Sequence, residues 1–120
     1  MSDADGPELQ PLHPEQLTWA VLLARWTDFA GSSVALPDTV EGRRMRDSVA
    51  DIITLQAVWF SLQHLDELGP EQKRIGLDRA GVLIDRAGQA IEKRFGQAVP
   101  ALMRELIEDA KGALRACTEA

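Results

Sequence analysis

Apolar residues recur along this chain at spacings of three and four, and no segment alternates them with a period of two. The first such run is Trp19, Leu22, Leu23, Trp26, Phe29 and Ala30, one face of a helix that Pro14 opens and Gly31-Ser32-Ser33 stops. Val34-Ala35-Leu36-Pro37 reads as an apolar connection. A second helix is predicted from Asp38, which stands three residues before Glu41 as in a capping box, to about Leu68. At 1.5 Å per residue that is about 45 Å of continuous helix. Gly69-Pro70 ends it and starts the third at once, so these two helices should form an antiparallel hairpin. The third runs to about Phe95, Gly96-Gln97 break it, and Pro100 restarts the pattern. The last stripe is the cleanest: Val99, Leu102, Met103, Leu106, Ile107, Ala110, Ala113, Leu114 and Cys117. The predicted fold class is therefore all-α, a four-helix bundle of up-down-up-down topology over residues 14–120, behind a flexible N-terminal leader of residues 1–13.

The second helix differs from the others. At 100° per residue, Val49, Ile52, Ile53, Ala57, Trp59 and Phe60 fall on one side and Leu55, Val58, Leu62 and Leu65 on the opposite side. Two apolar sides require two covers, so Val49–Leu68 is either the central element of the domain or shared with a second subunit. The bulkier side, with Trp59 and Phe60, suits the core. The row Leu55, Val58, Leu62 and Leu65 is then the expected interface to a partner protein, a second copy in a homodimer first of all. Gln56 and Gln63 lie within about 20° of each other near Ile52 and Trp59. Buried glutamines need hydrogen-bond partners, so the pair either sets register or, with Trp59, lines a ligand pocket between the second and third helices.

The third helix contains a repeat of seven, DRAGVLI followed by DRAGQAI. It places Leu77, Ile84 and Ile91 in one row, with Ala80, Gly81, Ala87 and Gly88 beside them. Glycine inside a helix costs about 1 kcal/mol relative to alanine. Two at this spacing point to close approach by a neighbour, and the row of Trp59 and Phe60 is the expected one.

Composition narrows the function more than the fold. The 120 residues suit a single domain, and the net charge of −6 argues against nucleic acid and anionic membrane as partners. Cys117 is the lone cysteine, which leaves no internal disulfide and points to a reducing compartment. With no signal-peptide pattern at MSDADGPELQ and no apolar run of membrane-spanning length, the expected location is the cytoplasm.

Candidate chemistry is sparse. His64 and Glu67 supply half of a metal site at most, because a carboxylate-bundle centre needs paired Glu-x-x-His motifs. Asp78, Asp85 and Glu92 are each followed by a cation, which reads as a solvated face and not as paired catalytic carboxylates. The cluster Arg43, Arg44 and Arg46 is surrounded by Asp38, Glu41, Asp47 and Asp51, so its field is weak. No phosphate loop, nucleophile elbow or zinc motif is present. The expectation is a non-catalytic protein without cofactor or metal, acting as an interaction or self-associating module. The alternative is a small-molecule-binding regulatory bundle that uses Gln56, Trp59 and Gln63.

Overall fold

A computed structural model describes residues 17–119. Four main helices pack as a bundle, and no strand occurs among the described residues. They are α1 (Trp19–Ser33), α3 (Val49–Gln63), α4 (Pro70–Phe95) and α5 (Ala101–Glu119), with a five-residue helix α2 (Val40–Arg44) before α3. Pro14 and the leader lie outside the described residues. The first helix begins later than Pro14 predicts, because Thr18 is extended and caps it, its hydroxyl accepting from the Val21 N–H at 3.2 Å. Leu17 and Leu22 occupy the positions of a hydrophobic staple, and both are buried. The helix also passes through Gly31. Ser32 and Ser33 turn their hydroxyls onto the Asp28 and Phe29 carbonyls at 2.8 and 2.7 Å and stay helical.

The long second helix is not continuous. Thr39, not Asp38, caps α2, accepting from the Gly42 N–H at 3.0 Å. Asp38 instead makes an exposed pair with Arg43 at 3.5 Å. A 3-10 turn over Met45–Ser48 then separates α2 from α3. Its buried Ser48 hydroxyl accepts from Arg94 at 2.7 Å, and the same guanidinium donates to the Asp47 carbonyl at 2.8 Å. That guanidinium comes from the far end of α4, so the break rests on a long-range contact. At the other end α3 stops at Gln63, with His64 as its cap, and a second 3-10 turn spans Leu65–Glu67. Gly69 and Pro70 begin α4 where expected, and Gly96, at φ +61°, ends it in the left-handed region open to glycine.

Contacts give the topology. Arg25 at the middle of α1 meets Glu67 beyond the end of α3, whereas Gly31, further along α1, lies near Ile53 in the first half of α3. Arg94 near the end of α4 meets Ser48 before α3, and Gly81 and Gly88 of α4 face Leu114 and Ile107 of α5 respectively. Each successive main helix therefore runs antiparallel to the one before, up-down-up-down. The four do not close into a square ring. α3 packs on α1, α4 and α5, whereas α1 touches α4 only lightly and α5 scarcely at all. The principal extents of 55 × 36 × 17 Å fit this layout.

The core lies where α3 meets α4 and α5. It contains Ile52, Leu55, Val58, Leu62, Ala80, Ile84, Ala87, Ile91, Met103, Ile107 and Ala110, none more than 7% exposed. The repeat of seven in α4 is thus a core stripe, and Asp78, Asp85 and Glu92 are exposed. The expected neighbour of its glycines is corrected. An added Cβ at Gly81 or Gly88 would meet Leu114 at 3.6 Å or Ile107 at 4.0 Å, ordinary contact with α5 and not with Trp59 or Phe60. The glycine of α4 that close approach requires is Gly76, where a Cβ would lie 2.6 Å from the Trp19 ring.

Candidate functional site

The row assigned to a partner is part of the core. Leu55, Val58, Leu62 and Leu65 are 1%, 0%, 3% and 5% exposed within the single chain. Both sides of α3 are covered: α4 and α5 enclose this row, Ile52 and Ala57 of the other side are buried as well, and only Trp59 of that side is left exposed. The apolar excess that implied a second subunit at this row is consumed inside the fold.

An uncovered aromatic surface lies elsewhere, in the channel that α1 and α5 leave by packing on α3 and not on one another. On the α1 side, Trp26 stacks on Phe60 with centroids 5.0 Å apart and planes 14° from parallel. Phe29 meets the edges of both, at 5.5 Å from Trp26 and 5.3 Å from Phe60. Trp59 continues the series at 5.1 Å from Phe60. On the α5 side, Trp59 and Phe60 line a cleft of about 220 Å³ with Leu55, Gln56, Leu106 and Asp109. Four of the chain's six Trp and Phe residues therefore form one strip from α1 across α3 to α5. Phe29 is 47% exposed, Trp59 is 37% exposed, and Leu102, one turn before Leu106, is 40% exposed.

Two polar details mark this strip. The Trp26 Nε1–H is shielded from solvent and has no acceptor among the described residues. An unpaired buried donor costs about 1–3 kcal/mol, so the indole is held by its ring contacts in spite of its N–H. His64 lies 4.5 Å from the Trp26 ring, with Nδ1 2.9 Å from the Phe60 carbonyl oxygen. A carbonyl only accepts, so in that bond Nδ1 carries the proton and Nε2 is the remaining nitrogen. His64 thereby acts as a bracket between the end of α3 and the aromatic stack. Among the described residues no three His, Cys, Asp or Glu side chains converge as metal ligands.

Gln56 and Trp59 do meet at one cleft, but it lies between α3 and α5, not between α3 and α4 as the pocket alternative expects. Gln63 is exposed and does not line it. Spacing puts Phe29, Leu102 and Leu106 on helical stripes but does not mark them, or Asp109, as parts of one site. Their signal was the width of the stripes on the first and last helices: Phe29 and Leu102 lie at stripe margins, beyond what one neighbouring helix covers.

Cys117 is half-buried, with Sγ 3.6 Å from the Leu62 carbonyl. Burial raises its thiol pKa most, the nearby Asp66 carboxylate raises it further, and Lys73 opposes both. That favours the protonated, unreactive thiol. None of the described helices is long and apolar enough to cross a membrane. Comparison with protein-family models, with curated proteins and with solved structures finds no match.

Proposed function

We propose that the protein is a non-catalytic interaction module that docks a helix of a partner protein in the channel between α1 and α5. The observation that carries this reading is the strip Phe29–Phe60–Trp59–Leu106, its Phe29 and Trp59 exposed and its Phe60 and Leu106 half-buried, on the side of α3 that α1 and α5 leave open. A helix laid in such a groove would bury its apolar stripe on aromatic side chains, the residue type that most often dominates binding energy. A contiguous apolar strip is the kind of surface that marks a contact site. The small-molecule alternative has less support. The cleft at Gln56 and Trp59 is about 220 Å³, below the ~300–1,000 Å³ usual for such ligands. A reducing compartment such as the cytoplasm suits the single half-buried thiol.

A benzophenone side chain placed at position 59 tests the proposal, with position 82 as control. Val82 is 49% exposed and lies on the α1/α4 side of the molecule. Irradiation in cells should give a discrete protein adduct from position 59 and none from position 82. An adduct of twice the chain mass, with a dimer in light scattering, would identify the partner as a second copy. Equal labelling from both positions, or none from position 59, refutes the reading.

A further inference from the structure

Charge is unevenly distributed around α5. Arg104 and Lys111 line a cleft with Glu92 and Glu108, and Lys111 and Arg115 line another beside Asp85, both on the flank facing α4. The opposite flank carries Asp109, which lines the α3/α5 cleft with Gln56, Trp59, Phe60 and Leu106 and with no cation. Asp109 forms no salt bridge among the described residues. Glu105, one turn earlier on the same helix, adds like charge rather than compensation. On the α1 wall the nearest cation is already engaged, since Arg25 donates to Glu67 at 3.1 Å.

We infer that the occupant of the groove is a basic amphipathic helix, an apolar stripe flanked by Lys or Arg. The inference rests on the docking reading above and adds the chemistry of the partner. The apolar floor attracts any amphipathic helix equally. Only a basic flank finds counter-charge on the α5 wall, and an acidic one meets the Asp109 carboxylate. A second copy related by a two-fold axis brings the same acidic wall to the contact, so self-docking is disfavoured by the same argument.

Two synthetic 18-residue peptides with one leucine stripe, flanked by lysine in one and glutamate in the other, test this on the full chain. Trp59 is the reporter, because Trp19 is buried at 4% exposure and Trp26 is enclosed by its neighbours. The lysine peptide should shift the tryptophan emission to shorter wavelength and bind about 3- to 10-fold more tightly than the glutamate peptide at low salt. The gap should narrow at high salt. Asp109→Lys should reverse the preference, whereas Asp85→Lys, the same charge change on the α4 flank, should leave it in place. Equal affinities for the two peptides, or equal effects of the two substitutions, overturn the charge inference alone. Trp59→Ala, followed by calorimetry, should weaken both peptides. If it does not, or if neither peptide binds, the groove reading falls as well.

Discussion

Gly76 and Gly81 stand five residues apart in the same helix, yet alanine at the two positions should act in opposite directions. Both substitutions gain about 1 kcal/mol of helix propensity. At Gly81 the new methyl would meet only Leu114 Cδ2 at 3.6 Å, an ordinary van der Waals distance, so most of the gain survives. At Gly76 it would lie 2.6, 3.0 and 3.2 Å from three atoms of the Trp19 ring. That ring is a rigid plate, 4% exposed, so it cannot swing aside as a flexible chain end does, and the backbone N–H of Trp19, donating to Gln72 Oε1 at 3.0 Å, ties the start of α1 to α4. Relief requires about 1 Å of separation between α1 and α4. Overpacking of this kind costs about 1–3 kcal/mol. The net expectation is a gain of up to about 1 kcal/mol for Gly81→Ala and a loss of up to about 2 kcal/mol for Gly76→Ala. For a chain of this size 1 kcal/mol moves the melting midpoint by about 3–6 °C. Urea and thermal unfolding followed by far-ultraviolet circular dichroism measure both. A Gly76→Ala protein as stable as Gly81→Ala would refute the close approach of Trp19 to α4.

Other substitutions test the remaining assignments. Leu62→Ala should cost about 2–5 kcal/mol by urea unfolding, and Leu62→Asp should leave no cooperative transition; a folded, monomeric Leu62→Asp chain would return that row to a subunit interface. Phe29→Ser and Trp59→Ser should cost less, about 1–2 kcal/mol per site, and leave a cooperative transition, because each ring is partly exposed and loses its aromatic contacts rather than opening a core cavity. Arg94→Ala removes the donor to Ser48 and Asp47, and the loss should be about 1–2 kcal/mol, with faster amide exchange over Met45–Ser48. Cys117 should alkylate more slowly than free cysteine at pH 8 and at the ordinary rate in denaturant. The sign in stability follows: the folded thiol ionises at higher pH than the unfolded one, so its contribution is intact below the ordinary thiol range and is lost as pH rises through it.

Much of the helix plan was legible because glycine and proline act on the backbone locally. Pro70 opens α4, Gly96 closes it and Pro100 precedes α5, each where its own φ restriction or freedom places it. The break at Met45–Ser48 was not legible, since the guanidinium that stabilises it comes from Arg94, 46 residues further along the chain. Gly81 and Gly88 drew attention through their repeat, whereas Gly76 had no such mark and is the one against which an aromatic ring packs. Spacing shows that a helix approaches a glycine and does not show which side chain arrives.

The sequence by itself determined that the chain forms helices, that the two helices joined at Gly69-Pro70 run antiparallel, and that Val49–Leu68 carries apolar residues on two sides. These follow from periodicity and from local backbone chemistry. Only the tertiary structure decided what covers each side and which residue between the covers stays exposed. A helix apolar nearly all round has no preferred orientation of its own, so its rotation is set by the neighbours that cover it. Here α4 and α5 together enclose Leu55, Val58, Leu62 and Leu65, and α1 stacks Trp26 on Phe60. What remains uncovered is the strip at Trp59, because α1 and α5 do not meet across α3. Each residue in that strip has a place in the helical pattern of its own segment. That they form one surface is a property of how three helices pack.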